Sequence, residues 1–153
     1  MVNRTQRDAA GRVLRSLVDG VITNDDFEAQ FPYGEEDSAL SAIKGNVWML
    51  YSDLHRHKLT GKHEPNAETR ALLERCVLFL DTDLAFEWPV PQVSLSNIGK
   101  NLRSRIGRLL GMEEEGRQAG AKRDGLDGGD EDVWPFFRKE DLVRASVRSH
   151  SVS

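Results

Sequence analysis

The stretch Arg70–Trp88, RALLERCVLFLDTDLAFEW, decides the reading of the chain, because its centre, Cys76-Val77-Leu78-Phe79-Leu80, is an unbroken apolar run. Leu72, Leu73, Cys76, Val77, Leu80 and Leu84 recur at helical spacing, and Asn66, just after Pro65, can cap the helix they define. A helix apolar over so much of its girth belongs in the middle of a fold. Its far end breaks the rules that its first half obeys. Asp81, Asp83 and Glu87 crowd the expected C-terminus, where the helix dipole disfavours anions, and Asp83 and Glu87 share a face four residues apart. Such a violation marks either a functional site or a place where another segment compensates.

Upstream, Leu40, Ile43, Val47, Leu50, Tyr51 and Leu54 trace one face of a second long helix, broadened by Trp48 and introduced by Glu35-Glu36-Asp37. Earlier still, Val13, Leu14, Leu17, Val18 and Val21 predict a first helix. Gly20 breaks it, Thr23 and Asp26 form a capping-box-like start for a short helix carrying Phe27 and Phe31, and Pro32 closes that helix. Short connections make sequential helices neighbours, so the expected fold class is all-α, a small antiparallel helical bundle over residues 1–111.

Beyond Trp88-Pro89-Val90-Pro91, which must leave helical geometry, Ser94 or Ser96 can cap one more helix with Leu95, Ile98, Leu102, Ile106, Leu109 and Leu110 on its apolar side. Its other side is basic: Lys100, Arg103, Arg105 and Arg108 stand in residues 96–110 without one acid, a local charge of +4, whereas residues 1–95 carry −5. Residues 112–132 are rich in glycine and acid and too poor in apolar side chains to order themselves, so they read as a flexible acidic linker. A tail segment, 133–153, then opens on Val133-Trp134-Pro135-Phe136-Phe137 and continues as a short helix near Lys139 to Val147. The expected arrangement has Trp134 and Phe137 plugging a groove on the bundle. The other arrangement is a linear motif anchoring in a partner.

Composition narrows the classes. At 153 residues the chain suits one domain, and 39% hydrophobic with 30% charged residues fits a soluble protein with some disordered chain. No apolar stretch approaches the roughly 20 residues of a spanning helix, no secretory signal is visible at the start, and the chain reads as cytoplasmic. The single cysteine, Cys76, lies among Val, Leu and Phe and reads as a buried, inert thiol. His55, His57 and His63 lie near Asp53 and Glu64, but His55 and His57 are two apart, which on a helix points them in nearly opposite directions. No metal and no cofactor is expected.

The stretch Leu14-x-x-Leu17-x-x-Gly20-x-Ile22-Thr23-x-x-Asp26-Phe27-Glu28 resembles the short two-helix SHOCT motif attached to many bacterial proteins, which implies an interaction or oligomerisation element. In composition the chain is also similar to the bacterial immunity proteins that neutralise nuclease toxins, including the helical colicin-immunity group, which implies a basic protein partner met by an acidic face. The expected function is therefore a non-catalytic protein–protein interaction module, with Asp81, Asp83, Glu87, Trp88, Trp134, Phe136 and Phe137 as the partner-binding residues. One alternative is a nucleic-acid-associated regulator using the basic face, disfavoured by the overall charge of −4 and by the lack of aromatics among the arginines. The other is an enzyme using Asp81, Asp83 and Glu87 for acid and base work, disfavoured by the absence of an accompanying nucleophile or phosphate loop.

Overall fold

A computed structural model describes residues 1–33, 36–52, 54–89 and 129–150. The chain divides into two units, Met1–Trp88 with Gly129–Ser153, and Pro89–Gly128; apart from Pro89, the described residues all belong to the first. The expected helix at 96–110 and most of the expected linker lie outside the described residues.

The described chain is helical and holds no strand: α1 (Arg4–Val18), α2 (Asn24–Gln30), α3 (Ser38–Trp48), α4 (Ala67–Leu80) and α5 (Lys139–His150), with 3₁₀ turns at Gly61–His63 and Glu131–Val133. Side-chain caps set four of the starts. Asn3 accepts from Gln6 N–H, Thr23 and Asp26 close the capping box of α2, Asp37 accepts from Ala39 N–H, and Asn66 accepts from Thr69 N–H. Gly20 ends α1 at φ +66°, and any Cβ there would strike the Thr60 side chain, so the turn needs glycine twice over.

The core is one continuous cluster. Leu14 and Leu17 of α1, Phe27 of α2, Leu40 and Ile43 of α3, and Cys76 and Leu80 of α4 are fully buried. α1 packs against α2 and α4, and α4 also against α3 and α5. Burial pushes the Cys76 thiol up to about 12, well away from the thiolate form that reacts.

Three expectations fail. α3 stops at Trp48 rather than running on past Leu54, which is 79% exposed. The end is tightened by three-residue bonds, Met49 N–H to Asn46 O and Leu50 N–H to Val47 O, while Asn46 Nδ2 turns back onto Ala42 O at 2.8 Å. Leu50 and Tyr51 still pack on the core, but from a loop. α4 stops at Leu80, so Leu84 is not helical, and Val21, expected on the α1 core face, lies beyond the helix and is exposed.

Candidate functional site

The acidic strip Asp81–Trp88 is non-helical, so Asp83 and Glu87 do not share a helix face. Thr82 starts the departure, its N–H and hydroxyl both donating to Phe79 O, at 3.0 and 2.7 Å. The carbonyls left by the helix end are then taken by arginines of α1. Arg4 donates to Leu80 O and, at 2.8 Å, to Thr82 O; Arg7 donates through Nη1 to Thr82 O at 3.0 Å and Leu84 O at 2.8 Å. Two cations at the negative end of α4 compensate for the aspartate that caps it.

Each acid of the strip also meets an arginine. Arg15 pairs with Asp81, Arg4 with Asp83 at 3.4 Å, and Arg138 with Glu87 at 3.6 Å. The acids stay accessible, their side chains 39%, 82% and 44% exposed in that order. The compensating cations come from α1 and the tail. Lys100, Arg103, Arg105 and Arg108 lie outside the described residues.

Behind the strip sits a buried ion pair that the sequence reading missed. Arg7 Nε and Nη2 donate to Asp37 Oδ2 and Oδ1 at 2.7 and 3.0 Å, and the guanidinium lies over the Phe79 ring, 5.2 Å from its centroid. Burial pushes the Asp37 carboxyl up, but the hydrogen bonds from Arg7, Asn3 N–H and Ala39 N–H and the Arg7 charge outweigh it, and the net shift is downward. The available signal was spacing: Arg7 continues the series Ala10, Leu14, Leu17 on the apolar face of α1.

The strip ends on the tail. Trp88 Nε1 donates to Phe136 O at 3.2 Å and its ring meets Phe137 edge-on at 5.4 Å, while Arg75 Nε donates to Trp134 O at 3.2 Å. Phe136 packs edge-on against Phe79 at 5.1 Å, and Trp134 against Phe86 at 6.5 Å. Val133, Trp134 and Phe136 are therefore core residues, at most 5% exposed, and Phe137 is half-buried. Of the aromatic residues expected to meet a partner, Trp134 and Phe136 are occupied within the chain. The pair that enters the core is Trp134 and Phe136, not Trp134 and Phe137.

His55 and His57 sit in a loop past the end of α3, and His63 in the 3₁₀ turn Gly61–His63. Buried Asn24 holds that loop, donating to Ser52 O and His55 O and accepting from His57 N–H at 2.8 Å. The His57 and His63 rings then stack with centroids 4.1 Å apart. Desolvation, followed by the charges of His57, Lys62 and His55, holds the His63 imidazole below its ordinary value. Among the described residues no group of three metal-ligating side chains is assembled.

Compared with known proteins, the chain matches no family model, no curated protein and no solved structure. Among the described residues no helix is long and apolar enough to cross a membrane.

Proposed function

We propose that this protein is a non-catalytic interaction module whose acidic body receives a basic protein partner along the strip Asp81–Asp83–Glu87. The observation that supports this most is the exposure of those three carboxylates in long or solvent-facing pairs. Exposed pairs of this kind contribute about 0–1 kcal/mol, so a partner's arginine or lysine can replace the internal one at little cost. The net charge agrees. Residues 1–88 and 129–153 together carry 20 acidic and 14 basic side chains, a charge of −6. A field of that sign steers a basic partner in and repels nucleic acid. Arginine pairing of all three carboxylates also speaks against their use as an acid and base pair. The scaffold we infer is the antiparallel bundle expected from the short helix connections, and masking a toxic basic nuclease, as immunity proteins do, is one instance of the class.

The test is affinity capture from the native host with the wild-type chain and with an Asp81→Asn, Asp83→Asn, Glu87→Gln variant, both shown folded by circular dichroism. The expected result is a high-pI protein released by salt from the wild type and missing from the variant. A partner retained equally by both would overturn this assignment of the face.

A further inference from the structure

The tail meets the end of the acidic strip in two ways, and only one of them is core. Trp134 and Phe136 are buried against Phe86 and Phe79 and anchor the segment. Exposure then rises along the chain: Phe136 is fully buried, Phe137 half-buried, and the Arg138 side chain 62% exposed. Phe137 and Arg138 lie on Trp88 and Glu87, the last two residues of the strip. The Phe137 ring meets Trp88 edge-on, 5.4 Å between centroids, and Arg138 faces the Glu87 carboxylate at 3.6 Å. The Arg138 guanidinium also sits over the Phe137 ring, 5.8 Å from its centroid.

The backbone that presents this pair is tied to its own segment. Asp130 N–H donates to Phe137 O at 3.0 Å and Lys139 Nζ meets Asp130 Oδ2 at 3.3 Å, so residues 130–139 close on themselves. The Arg138–Glu87 pair is exposed and beyond hydrogen-bond length, and a pair of that kind contributes little. Rotation of the Phe137 and Arg138 side chains therefore frees Trp88 and Glu87 without opening that loop or withdrawing the Trp134–Phe136 anchor. While the two side chains are in place, the corner is full. A Cβ on Gly129 would come within 2.6 Å of the Phe137 ring and 2.8 Å of Trp88 Cζ2, so no second aromatic side chain fits between them. A ligand for the Trp88 ring edge has to take the place of Phe137.

The occupant already seated there defines the chemistry that fits. An apolar side chain alone would cover Trp88 and leave Glu87 unanswered. A lysine would answer Glu87, but it lacks the planar guanidinium that lies on a ring as Arg138 does. An aromatic residue followed by an arginine satisfies both. We infer that the Glu87–Trp88 corner is the recognition site for such a pair on the basic partner proposed above, and that Phe137–Arg138 holds it closed as an autoinhibitory contact, an inference that rests on that reading of the function. The partner has to displace the chain's own pair before it reaches the last acid of the strip.

The probe is N-acetyl-Phe-Arg amide, titrated into the ¹⁵N-labelled full chain and followed by NMR at the Trp88 indole N–H, with N-acetyl-Phe-citrulline amide as the uncharged mimic of the same shape. Phe137→Ala and Arg138→Gln, each shown folded by circular dichroism, open the corner; Arg138 is exposed, so its variant carries the test if Phe137→Ala does not fold. Each should bind the probe about two- to tenfold more tightly than the wild type, the range of one aromatic or one exposed charge contact. Adding Glu87→Gln to Arg138→Gln should weaken binding about three- to fivefold. The corner is overturned if no opened variant gains affinity, if the citrulline amide binds as well as the arginine amide, or if no saturable shift arises in an opened variant. In affinity capture, Arg138→Gln should retain more of the basic partner than the wild type does. A strip-dependent partner held equally by both would keep the proposed function and overturn the autoinhibition. Probe binding as expected, with no partner lost from the Asp81→Asn, Asp83→Asn, Glu87→Gln variant, would keep the corner and overturn the strip.

Discussion

Arg7 and Asp37 form a two-pronged ion pair, 2.7 and 3.0 Å, with side chains 0% and 2% exposed, and through it the starts of α1 and α3 and the strip after α4 meet at one point. Removing either partner leaves a buried charge uncompensated. Arg7→Met or Asp37→Ala should cost about 3–5 kcal/mol in urea unfolding, and the double change should cost less than the sum of the two. Strict additivity would show that the pair acts as two independent contacts.

The same aspartate predicts a pH dependence. Its folded pKa lies below the ordinary carboxylate value, so its contribution is fully present above the unfolded pKa and is lost as pH falls through the folded one. Stability measured from pH 6 down to pH 2 should therefore drop below about pH 4, and the Asp37→Asn variant should show a shallower drop. Parallel curves for the two proteins would locate the acid sensitivity elsewhere.

His63 adds a step at higher pH. Its folded pKa is lowered from 6.5, so the unfolded chain takes up the proton first and stability declines as pH falls through 6.5. Two stacked imidazoles, 4.1 Å apart, resist a second charge. A ¹H NMR titration should place His63 below 6.5, and His57→Ala should raise it toward that value; an unchanged midpoint in His57→Ala would remove the stack as a cause.

Core truncations test whether the tail is integral. Leu80 and Phe136 are both fully buried, the first on α4 and the second in the tail against Phe79. Leu80→Ala should cost about 2–5 kcal/mol and Phe136→Ala about 3–5 kcal/mol. If Phe136→Ala costs under 1 kcal/mol while Leu80→Ala is costly, the tail is an appendage and not core.

Asn24 is the prediction most specific to this architecture. Its amide bridges the α2 start to Ser52 O, His55 O and His57 N–H. Asn24→Ala should cost about 1–3 kcal/mol by leaving those groups unpaired, and hydrogen exchange should accelerate at His57 before it does in α1. Uniform acceleration across the chain would argue for global loosening instead.

Much of this protein was legible in its sequence because the signals are local. Leu14 and Leu17, Leu40 and Ile43, and Leu73, Cys76 and Leu80 recur at the period of a helix that buries one side, and Thr23, Asn66 and Gly20 are a hydroxyl, an amide and a bare backbone at the positions where helix ends require them. Periodicity failed at Leu54, Leu84 and Glu87, where apolar and acidic residues keep helical spacing beyond the true helix ends. There the competing groups lie far away in sequence: Asn24 holds carbonyls near residue 55, and Arg4 and Arg7 hold carbonyls beyond residue 80.

The sequence by itself determined the helical class, the capped starts of α2 and α4 and much of the core, since each depends on neighbours within about one or two turns. Only the tertiary structure decided where α3 and α4 stop, which arginine answers which acid, and that Trp134 and Phe136 are spent inside the chain. An ion pair or a donor to a free carbonyl is set by approach in space. No spacing rule links Arg4 to Leu80 or Arg15 to Asp81.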